Sequence, residues 1–190
     1  MNKMKKYLWP SIKLTIILIV LLGGLYPLFL SAVAKMAPGK GDGVKVVHNG
    51  KVVGYENIAQ QFSDDKYFQP RPSTVNYNAA GSGGSNKAAG NPDYLKSVQE
   101  RIDTFMVHNP EIKRTDIPVE LVTASASGLD PDLSPAAALV QVPRIAKLRG
   151  IAPEKLKDLV AKNTKGPLLG LFGVPTINVL KLNIALDEMK

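Results

Sequence analysis

Residues 14–34 form a run of 21 residues without a charged side chain, and this run constrains the fold more than any other feature of the sequence. As an α-helix rising ~1.5 Å per residue, it would measure about 31 Å and match a hydrocarbon core about 30 Å thick. The run predicts one transmembrane helix, so the rest of the chain folds outside the bilayer. Ala32-Val33-Ala34 also has the small-residue form of a signal-peptide cleavage site, and a secreted binding module released there is the alternative.

The charged residues are distributed unevenly around this run. Four lysines and no acidic residue precede it, three lysines lie within residues 35–45, and all 16 acidic residues follow it. The larger number of lysines before the run than directly after it predicts that residues 1–13 are cytoplasmic and that the chain after the run is extracytoplasmic. Positions 35–190 carry 20 basic and 16 acidic residues, so their formal charge is only +4 of the total +8. Such interleaved charge is typical of a solvated surface and argues against nucleic-acid binding.

Composition excludes several kinds of site. The chain has no cysteine, which excludes a disulfide scaffold, a thiolate metal site and a cysteine nucleophile. Its two histidines, His48 and His108, are 60 positions apart, which argues against a polyhistidine metal centre.

Beyond a Gly/Pro linker, residues 35–43, the remaining residues 44–190 are predicted to form one soluble domain. Asn49-Gly50 between two valine-rich runs predicts a β-hairpin. A short helix is predicted over residues 56–62, and residues 67–92, rich in Pro, Gly, Ser and Asn, are predicted to be irregular.

Capping residues predict the helices that follow. Asn91-Pro92 would open a helix that stops at Asn109-Pro110, and Ser134-Pro135 would open another, closed by Gly150. Pro143 predicts a break in that second helix near Gln141.

Residues 119–125 predict a strand, Pro153 opens a third helix ending near Gly166, and residues 176–189 are predicted to be helical. The fold class predicted is α+β, with one N-terminal transmembrane helix and a small mixed domain.

No motif in the sequence supports catalysis. The loop GSGGSNK, residues 81–87, lacks the spacing of a P-loop, so a flexible loop or a backbone-mediated docking surface is favoured, with Gly83, Gly84 and Asn86 as candidate partner contacts. Asp130 and Asp132 could bind a cation but are more typical of a turn. In the segment of residues 67–72, Tyr67, Phe68 and Arg71 either contact a partner or form a buried aromatic core with a structural arginine.

Taken in order, several segments resemble one known family. They are the N-terminal span, YFQPRPS, GSGGSN, VTASASGLDPDLSPAAA, QVPRIAKLRG and the closing NVLKLNIALD. Together they resemble KdpC, the C subunit of the Kdp potassium-transporting P-type ATPase. The family's usual pattern has glycine at Ala126 and His-Ile at Asp132-Leu133, so any role assigned to that turn is weakened.

The resemblance implies a membrane complex with a channel-like A subunit, an ATP-hydrolysing B subunit and a small F subunit. It implies that this chain is non-catalytic, binds no covalent cofactor and acts as a catalytic chaperone that raises the ATP affinity of the B subunit. Gln141 would then be the nucleotide contact, with ATP shared between the two subunits. A hydrogen-bonding role around the Pro143 break is the alternative for Gln141.

The predicted topology conflicts with a direct contact to ATP, because an extracytoplasmic domain cannot reach cytoplasmic nucleotide across about 30 Å of hydrocarbon. An extracytoplasmic cap at the potassium entrance of the A subunit is the alternative, with any effect on ATP affinity arising by allosteric coupling. A membrane-anchored domain unrelated to transport, such as a hydrolase, is a further alternative, although the sequence contains no credible nucleophile–base pair.

Overall fold

The computed structural model describes residues 2–189. Met1 and Lys190, the outermost residues of the predicted N-terminal segment and of the predicted domain, lie outside the described residues. The chain divides into two compact units, Met1–Val44 and Lys45–Lys190.

The first unit is a continuous helix followed by turns. It consists of α1 (Asn2–Leu18), a π-helical stretch (Ile19–Leu25) and α2 (Tyr26–Ala34). Pro27 lacks the N–H that would bond the carbonyl of Gly23, and its ring crowds that carbonyl; the wider π turn precedes it directly. Residues Lys6–Ala34 form the one helix, within the described residues, long and apolar enough to cross a membrane, and an 18-residue window of this helix has a mean hydropathy of 2.5.

The second unit begins with the predicted hairpin, β1 (Lys45–His48) and β2 (Lys51–Tyr55), which pair antiparallel. Its two turn residues, Asn49 and Gly50, have φ of 50° and 74°. Two left-handed residues in succession form the turn whose twist suits a two-residue hairpin, so this prediction is confirmed.

The predicted helix starts are confirmed. Asn91 caps α3 (Pro92–His108), and its side chain accepts a hydrogen bond from the Tyr94 N–H. Ser134 caps α4 (Pro135–Leu139), and α5 (Val142–Arg149) follows after the predicted break and ends at the left-handed Gly150. The third predicted helix is α6 (Pro153–Asn163).

The predicted C-terminal helix is α7 (Val179–Asp187). Directly before it, β4 (Ile177–Asn178) pairs antiparallel with β3 (Asp132–Leu133).

Two predicted elements are wrong. Residues 56–62 form turns and extended chain, because Ala59 donates its N–H to the Leu129 carbonyl instead of to a helical partner. Residues 119–125 contain a 3₁₀ turn, Val119–Leu121, and not a strand. The Thr123 N–H and hydroxyl both bond the Val119 carbonyl, which closes a local turn where an extended strand would need a partner strand.

The hydrophobic core of the second unit lies among α4, α5, α6, α7 and the β3–β4 pair. Its most buried members, at 1% exposure or less, include Leu133, Ile145, Leu156, Ile177, Leu182 and Leu186. Phe105 is the buried contribution of α3, whereas Leu95 of the same helix is 53% exposed. The mixed helix-and-strand architecture confirms the predicted α+β class.

Candidate functional site: a strap held by buried amides

Residues 65–72, here called the strap, begin in a turn closed by the hydrogen bond from the Tyr67 N–H to the Asp64 carbonyl, and residues 68–72 then cross the core without joining a sheet. Phe68 at its centre is fully buried in the core. Pro70 and Pro72 restrict the residues before them to extended conformations and have no N–H to donate to a neighbouring strand. The strap's backbone is therefore extended by its sequence but needs hydrogen-bond partners other than a β-ladder.

Two side-chain amides supply those partners. Asn183 of α7 accepts a hydrogen bond from the Phe68 N–H and donates to the Phe68 carbonyl, both at 2.9 Å. Gln141, between α4 and α5, accepts from the Gln69 N–H at 2.9 Å and donates to the Gln69 carbonyl at 3.1 Å. Successive residues of an extended chain direct their backbone groups to opposite sides, so each amide binds one residue as a strand would.

The side chain of Gln141 is completely buried, and its amide is fully engaged inside the chain. Besides its two bonds to Gln69, its oxygen accepts from Arg144 Nη2 at 2.8 Å and its nitrogen donates to the Ala137 carbonyl at 3.0 Å. This is the hydrogen-bonding role around the Pro143 break. A direct contact between Gln141 and ATP stays a prediction, and it would require at least one of these four bonds to be broken.

Arg144 extends the network on the same side of the strap as Gln141, to which it is hydrogen-bonded. Its side chain is 4% exposed and lies 3.4 Å from the Asp65 carboxylate, and it also donates to the backbone carbonyls of Asp65 and Tyr67. Its Nε donates to the Asn109 side chain at 2.9 Å. Burial lowers the pKa of the Arg144 guanidinium, and the Asp65 charge acts in the opposite direction.

Sequence reasoning did not single out Arg144, Asn183 or Asp65. Position 144 lies three residues after buried Gln141, on the same face of the chain's helical turn, and this spacing was the available signal. No local signal pairs positions 68 and 183, which are 115 residues apart.

Of the predicted partner contacts in the strap, Tyr67 is half-buried and locked in place. Its hydroxyl donates to Asp187 at 3.0 Å, and the Arg149 guanidinium lies 4.7 Å from its ring centroid. Arg149 also forms an ion pair with Asp187 at 2.7 Å. Phe68 packs into the core of its own chain, which leaves its side chain no surface for a partner.

Arg71, the third predicted contact in the strap, pairs with Asp130 at 3.0 Å. Its backbone carbonyl accepts a hydrogen bond from the Tyr77 hydroxyl at 2.8 Å, and burial raises the pKa of that phenol. Burial and the neighbouring Asp130 charge also raise the pKa of Asp132.

The glycine-rich loop packs against the turn at residues 125–128, so two segments of the sequence pattern meet. The Gly83 N–H donates to the Ser127 carbonyl at 2.8 Å, and a Cβ on Gly84 would lie 2.9 Å from the Ala126 carbonyl oxygen. Gly128 has φ of +68°, and a Cβ there would meet Val75 at 2.6 Å. Asn86 lies on the exposed outer side of the loop. Gly83 and Gly84 permit a close backbone approach between the loop and this turn.

The hydrogen bonds and ion pairs around the strap are suited to holding the strap in position. Within residues 2–189, no group of three or more His, Asp or Glu side chains is placed to bind a metal ion. His108 is paired with Asp65 at 2.8 Å, and His48 lies 3.5 Å from Glu188. Most polar side-chain atoms of the strap region bond each other or backbone groups, with buried Arg71 Nε as the exception, which favours a rigid scaffold for contacts with other molecules.

Comparison with known proteins identifies the family. Residues 8–188 match the family model described as KdpC, K+-transporting ATPase, c chain. The chain is 52% identical over 185 residues to a potassium-transporting ATPase KdpC subunit of Flavobacterium psychrophilum, which covers 97% of this chain and 100% of the relative. It is 50% identical to that of Bacteroides fragilis, covering 97% of this chain and 98% of the relative. It is 44% identical to that of Bacillus cereus, covering 100% and 99%. As its motifs predicted, the chain belongs to the KdpC family, the c chains of K+-transporting ATPases.

Proposed function

We propose that this chain is a membrane-anchored, non-catalytic subunit that stabilises a K+-transporting ATPase through contacts made by its extracytoplasmic domain. The observation that carries the proposal is the family match over residues 8–188, with relatives of the same length named as subunits of that ATPase. The partners proposed from the resemblance are the channel-like A subunit, the P-type ATPase B subunit and the small F subunit. The apolar helix Lys6–Ala34 would anchor the chain in the cell membrane.

The side of the membrane follows from the lysine distribution around this helix. Four lysines precede residues 14–34 and no acidic residue accompanies them, which favours retention of the N-terminus in the cytoplasm. The domain would then meet the extracytoplasmic face of the A subunit, where potassium enters. Its rigid strap and glycine loop suit such a cap, because a preorganised surface loses little conformational entropy on association.

An effect on ATP affinity is proposed to act through coupling between sites. Gln141 is buried and its amide makes four hydrogen bonds within the chain. A side chain in this state has no free group to offer a nucleotide. The chaperone role implied by the resemblance would then require the B subunit to have two states that this domain contacts differently.

Co-purification tests the proposal. The full chain, tagged and produced from its own operon in potassium-starved cells, is purified in mild detergent, and potassium-stimulated ATPase activity is measured in the eluate. We expect recovery with a P-type ATPase and a polytopic subunit, together with that activity. Recovery of the chain without ATPase activity would contradict the proposal.

Single cysteines test the topology, because the natural chain has none. Ser85→Cys lies in the exposed glycine loop of the domain. Tyr7→Cys lies at the N-terminal end of the apolar helix, where the tyrosine side chain is 70% exposed. A membrane-impermeant maleimide is expected to label Ser85→Cys in intact spheroplasts and Tyr7→Cys only after lysis. The reverse pattern would place the domain in the cytoplasm and refute the cap.

A further inference from the structure

Residues 166–174 form a loop between α6 and β4 that contains no charged residue and exposes several large apolar side chains. Their exposed fractions are 70% for Leu168, 81% for Leu169, 80% for Leu171, 64% for Phe172 and 71% for Val174. Contiguous exposed apolar side chains of this number are unusual on a soluble surface and mark interaction sites.

The loop is a defined projection. At its base, Lys165 and Thr176 exchange backbone hydrogen bonds of 2.8 and 3.0 Å. Further out, Leu168 and Phe172 do the same at 2.8 and 3.0 Å. Leu169 at the tip has φ of +54°, in the left-handed region that a leucine rarely adopts. The backbone thus holds a leucine outward in an unfavourable conformation, where a glycine or asparagine would be easier to accommodate.

We infer that this loop, residues 166–174, docks into an apolar recess on the extramembrane face of a membrane-embedded subunit of the transporter. The inference rests on the proposed function, which supplies such a subunit. It adds the surface through which this chain would be held.

The charged residues beside the loop favour a protein, and not a lipid surface, as the partner that the loop contacts. The hollow beside the loop is lined by charged groups of both signs, Glu56, Asp132, Lys165 and Lys181. Glu56 and Lys181 form an ion pair of 2.6 Å. An apolar centre within a polar rim of mixed charge is the usual anatomy of a protein–protein interface, whereas carboxylates at the rim oppose contact with an anionic bilayer.

The backbone of the loop gives a second reason. Within residues 2–189, no acceptor receives the N–H of Leu169, Gly173 or Val174. Inserted in hydrocarbon, these groups would lose water without gaining a partner, and irregular backbone of this kind does not occur exposed to lipid. A protein recess can provide acceptors for them.

Photocrosslinking in the complex tests the contact. A photoreactive amino acid replaces Leu171 in the full chain, produced together with its partner subunits. The control position is Val52 in the hairpin, which is 55% exposed. We expect a covalent adduct between position 171 and a polytopic subunit, and none from position 52. An adduct with lipid, an adduct between two copies of this chain, or no adduct would overturn the inference.

Substitution provides a second readout. Leu171→Ser with Phe172→Ser is compared with Val47→Ser and Val52→Ser, two valines of the hairpin that are 61% and 55% exposed. Partner recovery should fall about tenfold for the loop variant and stay unchanged for the hairpin variant, with equal melting temperatures. Equal recovery for the two variants would overturn the inference. If the unaltered chain recovers no ATPase, the proposed function itself fails, so the two failures are distinguishable.

Discussion

Replacing Gln141 by leucine removes the amide that binds the strap while keeping an apolar side chain of similar length in the core. Three groups are left without a partner: the Gln69 N–H, the Gln69 carbonyl and the Ala137 carbonyl. Arg144 Nη2 loses one hydrogen bond and keeps the other, to the Tyr67 carbonyl. At about 1–1.5 kcal/mol for each buried polar group left unpaired, the free energy of unfolding should fall by about 3–4.5 kcal/mol. For a domain of this size, that loss corresponds to a decrease in melting temperature of about 6–18 °C.

Asn183→Leu is the matched control, because Asn183 binds the adjacent residue Phe68 in the same way and was not predicted to contact nucleotide. It leaves two groups unpaired, so we expect a smaller loss of about 2–3 kcal/mol. Unfolding is followed on the full chain in detergent by far-ultraviolet circular dichroism, since the single tryptophan, Trp9, lies in the anchor helix.

The ATP dependence of the assembled complex separates the two roles of Gln141. If the residue only holds the strap, both variants lower the yield of complex, and the assembled fraction keeps an unchanged KM for ATP. A raised KM in Gln141→Leu alone, with a melting temperature equal to that of the unaltered chain, would refute the structural reasoning and support a nucleotide contact.

Two further variants test the loops around the strap. Gly128→Ala forces a left-handed alanine against Val75 and should lower the free energy of unfolding by about 2–5 kcal/mol. Gly150→Ala, at a φ of +64° and with open space around it, should lower it by about 1–2 kcal/mol. Equal melting temperatures for the two variants would contradict the close approach at Gly128. The raised pKa of Asp132 means that its ionisation is unfavourable in the folded state, so Asp132→Asn should raise the melting temperature at pH 7. This gain should vanish below about pH 4, where the carboxyl is protonated in the folded and the unfolded chain. A gain that does not depend on pH would contradict this prediction.

The elements that sequence analysis predicted correctly are those with local causes. The hairpin depends on two adjacent residues, Asn49 and Gly50, and the starts of α3 and α4 depend on a cap followed by proline. Each cause acts within about four residues, so it is visible in a short window of sequence.

The two wrong elements depended on partners that the sequence does not reveal. Residues 119–125 have the composition of a strand, but neither sheet within residues 2–189 includes them, and a local turn forms. Residues 56–62 are kept out of a helix by a hydrogen bond from the Ala59 N–H to the carbonyl of Leu129, which is 70 positions away. Tertiary contacts override propensity in both cases.

The candidate site was predicted only in outline. The motif order identified the family, and the strap was singled out for its aromatic and arginine side chains. The hydrogen bonds that hold the strap were missed because they join residue pairs 68–183, 69–141 and 65–144, which are each separated by 72 or more positions. Nothing in a single sequence links such residues.

The use of side chains to hold the strap follows from its prolines. A central strand would need an N–H at positions 70 and 72, and proline has none, so a β-ladder cannot hold this segment. Buried amides can hold it one residue at a time, and each of their hydrogen bonds matters because an unpaired group in the core is costly. The strap is therefore rigid only as a complete network. Loss of one amide should loosen the whole segment, including Tyr67 and Arg71 at its surface, and any partner that binds this surface should then bind more weakly although none of its own contacts has changed.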